Sequence, residues 1–407
     1  MAALEHKPYI VSWNLTHGCN LSCPHCYMDA GCRSAGELTT AEAKEVVNSL
    51  ALMNPAMMIV LTGGEPLLRN DLCDIVGLCS DAGFITVLGT NGTLLNREKL
   101  VQLQRAGLKG IGVSIDSTKP ESHNAFRNFK GAWELSIECL KAAKELSIET
   151  QLDVTLTDDN YTEIGDFTEL AVSLGARALN FFFLVCTGRA MRTFISVQNY
   201  DAAIQELVKR SKTETRTMLR ARCAPHIYRV LHDSGVRLPE GTRGCLAGRS
   251  YMRIDPVGNV TPCPYMEESV GNVKNTSIEK LWADSQKLQT LRDGEYGGRC
   301  GRCEFTEICG GCRARAKAEH GDFMAEDPLC HYVPQGKGKL TLTDESQSDI
   351  QWESAAKQRL NRVPAFIKKM VIGVIEKKAR EKGVNIITEA FVEEIKSRDF
   401  SKMHRPG

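Results

Sequence analysis

Short apolar runs alternate with amphipathic stretches through the first half of this 407-residue chain. Six runs have the length and the β-branched and aromatic content of strands. They are YIVSWNL, MMIVLTG, FITVLGT, GIGVSID, ETQLDVTL and ALNFFFLV, which begin at residues 9, 57, 84, 110, 149 and 178. Between them, apolar residues recur at helical spacing near 40–53, 71–82, 97–106, 131–146 and 163–174. The alternation predicts an α/β fold in which residues 1–194 form a parallel sheet with right-handed crossovers, a partial (β/α)6 barrel of the TIM type.

The composition changes after the sixth predicted strand. Residues 195–244 predict a helical connector, and residues 245–335 are rich in Gly, Cys and turn residues, with a hairpin predicted in YMRIDPVGNVTPCPY. Residues 336–350 have the composition of a polar linker. Residues 351–407 predict a small bundle of two or three helices, one of which ends at Gly383. We therefore expect a small cysteine-rich domain and a C-terminal helical bundle after the barrel.

The charge of the chain is nearly balanced, with 51 basic and 50 acidic residues and a net charge of +1. A broad nucleic-acid surface needs an excess of basic charge, so no nucleic-acid partner is expected. The opening MAALEHKPYIVSWN lacks the apolar run of a signal peptide, and the longest apolar runs are too short to span a bilayer. We expect a cytoplasmic protein without a membrane partner, and the oligomeric state stays open.

Sixteen cysteines are many for a cytoplasmic chain of this length. Reducing conditions disfavour a disulfide framework, so the count favours metal binding. The stretch THGCNLSCPHCYMDAG places Cys19, Cys23 and Cys26 in one loop after the first strand, with Tyr27 directly after the third thiol. Closed zinc and iron–sulfur sites take four ligands. Three thiolates would leave one iron of an iron–sulfur cluster without a protein ligand and so open for chemistry. The spacing by itself is also compatible with a zinc knuckle or with ordinary packing of the thiols.

Three further motifs end predicted strands and so face the same edge of the barrel as the cysteine loop. TGGEP ends the second strand, GTNG the third and SID the fourth. The candidate ligand-binding positions in these motifs are Gly63, Gly64, Glu65, Asn91, Ser114 and Asp116. Adjacent glycines let backbone groups approach a ligand closely. A carboxylate suits an ammonium group, and hydroxyl and carboxylate groups suit a ribose. Beside an open iron, these groups are the ones expected around S-adenosylmethionine.

The CxxxCxxC spacing with its following aromatic, together with GGEP, resembles the signature of the radical S-adenosylmethionine (radical SAM) superfamily. The resemblance implies that Cys19, Cys23 and Cys26 hold a [4Fe–4S] cluster whose fourth iron is chelated by the cosubstrate. It also implies reductive cleavage of S-adenosylmethionine to a 5′-deoxyadenosyl radical, with an electron donor such as ferredoxin or flavodoxin. Arg127, in SHNAFRNFKG, resembles part of the HDxFRG stretch of related enzymes. It is a candidate for cosubstrate binding or, alternatively, for a helix cap or a surface salt bridge.

A second group of seven cysteines lies between residues 245 and 330. CxxC pairs alone would suit a zinc ribbon, but the arrangement resembles the SPASM auxiliary domain of radical SAM enzymes. In that family one auxiliary [4Fe–4S] cluster takes ligands that correspond here to Cys300, Cys303, Cys309 and Cys330, and the other takes ligands that correspond to Cys245, Cys263 and Cys312. Cys309 and Cys312 are separated by two residues where the family commonly has three, and no second cysteine follows Cys245 closely. One or two auxiliary clusters are thus expected: the second is absent, has an open iron, or is completed by Cys223.

Three stretches of the chain indicate the substrate. CGGCRARAKAEHGDFMAEDPLC and the opening IVSWNLTHGCNLSCPHCYMDAG resemble the radical enzymes that edit porphyrin side chains in heme d1 synthesis and in the siroheme-dependent route to heme. RLNRVPAFIKKMVIGVIEKKAREKGVNIITEAFVEEIK resembles the C-terminal domain of light-independent protochlorophyllide reductase, although an amphipathic tail also suits dimerisation or packing. Together they imply an enzyme that removes or oxidises acetate or propionate side chains of a siroheme-derived tetrapyrrole. Arg313 and Arg315 are candidates to pair with substrate carboxylates, or else are structural.

Two other functions are compatible with the motifs. Enzymes with this auxiliary domain often crosslink or oxidise ribosomally made peptides, but they usually carry a peptide-binding winged-helix segment ahead of the barrel. Here the first predicted strand begins at residue 9, which counts against a peptide maturase. The other alternative is an iron–sulfur scaffold or electron carrier without radical chemistry. The intact cysteine loop and GGEP favour an enzyme.

Overall fold

The structure, a computed structural model, describes residues 6–190, 195–239, 241–342, 350–360 and 365–395. It divides into two compact units. The first runs to Arg237 and continues from Arg243 to Thr341, and the second contains Leu238–Thr242 and the chain from Leu342 onward. Of the predicted linker, residues 343–349 lie outside the described ranges, as do residues 361–364 and 396–407 of the predicted bundle.

A ten-stranded sheet is the centre of the first unit as far as the structure describes it. Its strands are β1 (Ile10–Asn14), β2 (Met58–Thr62), β3 (Ile85–Thr90), β4 (Gly110–Ser114), β5 (Glu149–Leu156), β6 (Ala178–Phe183), β7 (Met218–Arg222), β8 (Tyr251–Ile254), β9 (Asn259–Thr261) and β10 (Gly271–Asn272). Their spatial order is β10-β9-β8-β1-β2-β3-β4-β5-β6-β7. The eight strands from β8 to β7 in this order are parallel, and β9 and β10 are added antiparallel. The carboxyl ends of β1 to β7 therefore meet at one edge.

Helices connect and follow these strands. They are α1 (Thr40–Met53), α2 (Leu72–Asp81), α3 (Arg97–Arg105), α4 (Pro120–Arg127), α5 (Ala132–Glu145), α6 (Ile164–Leu174), α7 (Val197–Ser211), α8 (His226–Asp233), α9 (Ile278–Asp284), α10 (Gln286–Asp293), α11 (Gly298–Arg302) and α12 (Arg313–His320). Local sequence sets their starts: Thr39 and Glu42 form a capping box at α1, and the Asn96 side chain accepts from Lys99 N–H at α3.

The predicted barrel is confirmed, since all six predicted strands form in order and are separated by the predicted helices. Both faces of β1 are covered: Val11 and Trp13, on one face, are almost fully inaccessible, and the polar Ser12 and Asn14, on the other, are buried as well, as expected for a parallel sheet that is covered on both sides.

Two further parallel strands, β7 and β8, extend the sheet beyond the six predicted for the barrel. The segment expected to be a helical connector contains β7, which pairs in parallel with β6. The first strand of the predicted hairpin, β8, pairs in parallel with β1, so the hairpin continues the barrel sheet. β7 has the sequence MLRAR and, of the strands in the described ranges, pairs with β6 alone. A strand at a sheet edge does not need the continuous apolar run by which buried strands are found.

The second unit has a core of its own, which includes Ile350, Leu360, Ile375 and Ile387. Its elements are β11 (Gln351–Trp352), α13 (Ser354–Leu360), α14 (Ala365–Glu381), β12 (Ile386–Ile387) and α15 (Glu389–Ile395). β11 and β12 pair in parallel. Gly383 has a φ of +66°, and its N–H donates to Arg380 O, so it ends α14 as predicted. No helix in the described ranges combines the length and apolarity needed to cross a bilayer.

Candidate active site

The CxxxCxxC loop begins directly after β1, at the carboxyl edge of the sheet. Two backbone hydrogen bonds close it: Cys19 N–H donates to Gly31 O at 2.8 Å, and Gly31 N–H donates to His17 O at 3.0 Å. Cys23 is buried, while Cys19 and Cys26 are half-buried. The three thiols thus lie in one closed loop at the edge where parallel barrels collect their functional groups.

Each of the three sulfur atoms faces an N–H donor. From nitrogen to Sγ, the contacts are Leu21 to Cys19 (3.4 Å), Ala30 to Cys26 (3.3 Å) and Arg127 to Cys23 (3.9 Å). Burial raises the pKa of Cys19 to about 11, so the metal-free thiol is protonated at neutral pH. Iron cations reverse this preference, and N–H donors stabilise the thiolate further. The donor set of this loop therefore fits an iron–sulfur cluster.

Gly63 and Gly64 pack against the backbone of the cysteine loop. Gly64 N–H donates to Thr16 O, and Glu65 N–H donates to Gly18 O, both at 2.8 Å. A Cβ at Gly64 would lie 2.2 Å from Gly18 O, and a Cβ at Gly63 would lie 2.6 Å from Thr16 O. The two glycines therefore allow the close approach that sets the position of the cysteine loop.

The Glu65 side chain is fully buried and connects the ends of β2 and β3. Its carboxylate accepts from the Thr90 hydroxyl at 2.8 and 2.9 Å, from Asn91 N–H at 2.9 Å and from Leu67 N–H at 3.2 Å. Burial raises its pKa to about 7, although these donors lower it. The sequence predicts that Glu65 accepts from an ammonium group of a ligand. In the structure its carboxylate accepts from protein donors and so joins the loops after β2 and β3.

Asn91 joins the GTNG loop to the cysteine loop. Its Nδ2 donates to the side-chain oxygen of Asn20 at 2.9 Å, and Asn20 donates to the Thr93 hydroxyl at 2.8 Å. Asn20 follows Cys19 directly, so the amide network fixes the loop next to its first thiol.

Asp116 and Arg127 form a buried ion pair beside Cys23. Arg127 Nε donates to Asp116 Oδ2 at 2.5 Å, and Thr155 N–H donates to Asp116 Oδ1 at 2.7 Å. Although burial opposes ionisation, Arg127 and neighbouring donors hold the pKa of Asp116 below its usual value. Of the alternatives for Arg127, a surface salt bridge is wrong, because its side chain is 10% exposed. Ser114 is half-buried at the end of β4.

His25, inside the cysteine loop, is buried and stacks on the ring of Phe126 at 4.2 Å. Burial lowers its pKa to about 3, so the imidazole is neutral. Among the residues that the structure describes, its Nδ1 has no hydrogen-bond partner. The ring fills space beside Asp116, whose Oδ2 lies 3.9 Å from His25 Nε2.

Tyr27 connects the cysteine loop to the auxiliary domain. Its hydroxyl accepts from Asn14 Nδ2 at 2.7 Å, and its ring lies 5.2 Å from the ring of Tyr265, two residues after Cys263. The Arg253 side chain, on β8, donates to Asn14 Oδ1. Aromatic and polar contacts thus join the first loop to the hairpin that carries part of the second cysteine group.

Arg189, in the segment after β6, holds the cysteine loop in place, and no sequence motif marks it. It donates to Cys23 O at 3.0 Å, to Ala30 O at 2.6 Å and to the Asp29 carboxylate at 2.8 Å. A Cβ at the preceding Gly188 would lie 2.5 Å from the backbone of Tyr27. The partners are about 160 positions apart, and no local pattern joins them.

The auxiliary domain contributes most of the lining of a small cavity that is partly open to solvent. The cysteines that line it are Cys300, Cys303, Cys309 and Cys330. These are the four predicted to hold one auxiliary cluster, and four thiols around one cavity suit a [4Fe–4S] cluster. In the part of the chain that the structure describes, no three His, Cys, Asp or Glu side chains are grouped closely enough for a single metal ion. The ligand set stays a prediction.

Arg313 and Arg315 are both buried, and their contacts are internal. Arg313 donates to the carbonyl oxygens of Phe323 (3.1 Å) and Ala325 (2.7 Å), and Arg315 pairs with Asp327 at 2.8 and 3.0 Å. Of the two roles left open for these arginines, the contacts support the structural one.

Comparisons with known proteins agree with this arrangement. A model of the radical SAM superfamily matches residues 13–171, and a model of the SPASM iron–sulfur cluster-binding domain matches residues 245–312. A third, described as the proto-chlorophyllide reductase 57 kD subunit, matches residues 352–396. AdoMet-dependent heme synthase of Methanosarcina barkeri is 37% identical over 353 residues, which cover 83% of this chain and 100% of that protein. The chain belongs to the radical SAM superfamily.

A further relative is the pre-heme d1 synthase of Dinoroseobacter shibae, which is 30% identical over 83% of this chain and 89% of that protein. Among solved structures, SuiB of Streptococcus suis bound to its precursor peptide SuiA superimposes with a TM-score of 0.67 at 14% identity, over 80% of this chain and 76% of SuiB. The likeness to SuiB concerns the fold. This chain is a radical SAM enzyme whose cofactors are [4Fe–4S] clusters and S-adenosylmethionine, as predicted.

Proposed function

We propose that this radical SAM enzyme removes or oxidises acetate or propionate side chains of a siroheme-derived tetrapyrrole, in the formation of heme or heme d1. The observation that carries the proposal is the similarity to AdoMet-dependent heme synthase, which extends over the whole of that protein. The similarity to pre-heme d1 synthase supports the same class of substrate.

The residues around the cysteine loop have separate tasks in this proposal. Cys19, Cys23 and Cys26 would hold the radical cluster, and the candidate positions around the cosubstrate are Gly63, Gly64, Glu65, Asn91, Ser114, Asp116 and Arg127. When bound, and with an electron from a donor such as ferredoxin or flavodoxin, these cofactors would supply a 5′-deoxyadenosyl radical able to take a hydrogen atom from the substrate. The Asp116 carboxylate neutralises the charge of Arg127. Glu65 fixes the loop after β2 to the loop after β3, and Asn91 fixes the loop after β3 to the cysteine loop.

The substrate chemistry also requires an electron acceptor. A propionate side chain that becomes a vinyl group loses one hydrogen atom, one electron and CO2. Cys300, Cys303, Cys309 and Cys330 line a cavity suited to an auxiliary cluster, whose chemistry when bound is one-electron transfer. Arg299 donates to Cys330 O, and its pairing with Glu326 orients that part of the lining.

The test is an anaerobic incubation of the reconstituted, reduced enzyme with S-adenosylmethionine and didecarboxysiroheme, read by mass spectrometry. The proposal expects 5′-deoxyadenosine together with a tetrapyrrole that has lost acetate or propionate fragments. The variant with Cys19, Cys23 and Cys26 replaced by Ala is the control and should form neither product. Deoxyadenosine with an unchanged tetrapyrrole would keep the radical chemistry, reject didecarboxysiroheme as the substrate and direct the search to peptides or other small molecules.

A further inference from the structure

Cys223 occupies an unusual backbone position directly after β7. Its φ is +56°, in the left-handed region, which costs a residue with a Cβ on the order of 1 kcal/mol. Glycine would adopt this conformation without that cost. The side chain is half-buried and packs against the main core. A position that favours glycine here carries a thiol at the edge of the sheet where the other functional groups lie.

A buried chain of hydrogen bonds connects Cys223 to Cys312. Arg315 Nη2 donates to Cys223 O at 2.9 Å, and the same guanidinium makes two hydrogen bonds to the Asp327 carboxylate. Asp327 Oδ2 in turn accepts from Cys312 N–H at 2.7 Å. Arg315 and Asp327 are both buried. A forked guanidinium–carboxylate pair has a fixed geometry, so it fixes the two cysteine backbones relative to each other.

Backbone packing places Cys245 beside the same turn. The residue before it, Gly244, lies against Pro225, two positions after Cys223. A Cβ at Gly244 would be 2.5 Å from Pro225 Cβ and 2.5 Å from Cys309 O. Only a residue without a side chain allows this approach, so the sequence before Cys245 is adapted to the contact.

The backbone of the hairpin brings Cys263 close to Cys245. Gly248 N–H, three positions after Cys245, donates to Pro262 O, directly before Cys263, at 3.1 Å. Cys263 and Cys312 are buried in the main core, and Cys223 and Cys245 are half-buried and pack against it. The backbone contacts therefore bring Cys263 to Cys245, and Cys245 and Cys312 to Cys223.

We propose that Cys223 is the fourth protein ligand of a second auxiliary [4Fe–4S] cluster, together with Cys245, Cys263 and Cys312. The inference rests on the proposed iron–sulfur role of those three cysteines. It selects one of the three arrangements that the sequence left open. A cluster with four thiolate ligands has no open iron, so it transfers electrons and does not ligate the substrate.

The test uses the full chain with Cys19, Cys23 and Cys26 replaced by Ala, so that only auxiliary clusters contribute iron. Cys223→Ser is compared with Cys73→Ser, because both cysteines are half-buried and pack against the same core. Cys223→Gly is the second variant, since it removes the thiol and relieves the left-handed strain. Each protein is reconstituted anaerobically, and its iron and sulfide content and the electron paramagnetic resonance spectrum of its reduced form are measured.

We expect about eight irons per chain in the background and in Cys73→Ser, as two four-iron clusters contain. Both Cys223 variants should lose iron, and one of the two reduced-cluster signals should disappear or be replaced by a three-iron signal. Unchanged iron and spectra in Cys223→Gly would overturn the proposal. About four irons in the background itself would also overturn it, because no second cluster would form. Neither outcome affects the substrate proposal, which is read from tetrapyrrole products.

Discussion

Replacing Gly64 with Ala perturbs the radical site without touching a thiol. The new Cβ would lie 2.2 Å from Gly18 O, whereas carbon approaches a carbonyl oxygen to about 3.3 Å. The backbone of Gly18, and Cys19 with it, must therefore move by about 1 Å. The shift breaks the hydrogen bonds from Gly64 to Thr16 and from Glu65 to Gly18, each worth about 1 kcal/mol.

The loss of about 2 kcal/mol corresponds to a ratio of correctly placed to displaced loop that is about thirtyfold smaller. We expect the rate of 5′-deoxyadenosine formation by the reduced Gly64→Ala enzyme to fall by up to that factor, while the iron of the auxiliary domain stays bound. Gly77→Ala is the matched control: Gly77 lies in α2, and a Cβ there meets no atom within 4 Å. If Gly64→Ala formed deoxyadenosine at the wild-type rate, the role assigned to this glycine would be wrong.

Two further predictions concern the ion pair beside Cys23 and the auxiliary cavity. Asp116→Asn leaves the buried Arg127 without its anion, so the free energy of unfolding in guanidinium should fall by about 3 kcal/mol. An unchanged midpoint of the guanidinium unfolding curve would show that the two side chains are not coupled. Cys300→Ser should lower the iron content by about four atoms per chain, one cluster, while dithionite-driven deoxyadenosine formation continues. An unchanged iron content would remove Cys300 from the ligand set.

The sequence predicts the barrel well because its strands carry apolar runs that alternate with amphipathic helices at regular spacing. It does not reveal β7, whose sequence MLRAR pairs with β6, or the pairing of β8 with β1, whose partners are about 240 positions apart. Such long-range pairing leaves no periodic signal in either segment.

The composition of the candidate site could also be predicted, but the partners of its residues could not. Gly63 and Gly64 were expected to approach a ligand, and the structure shows them against the backbone of Thr16 and Gly18. From the sequence, Arg315 could bind a substrate carboxylate or have a structural role. Its contact with Asp327, which the sequence does not reveal, supports the structural role. Residue type limits the chemistry that a side chain can perform, whereas the fold decides which group it meets.

The central claim is that a hydrogen atom is taken from a carboxylate-bearing side chain of a tetrapyrrole. The most direct measurement uses a siroheme-derived tetrapyrrole with deuterium on its acetate and propionate CH2 groups, incubated with the reduced enzyme and unlabelled S-adenosylmethionine. We predict that deuterium appears in 5′-deoxyadenosine in step with the loss of side-chain carboxylate. Deoxyadenosine that forms without deuterium, beside an intact tetrapyrrole, would contradict the account.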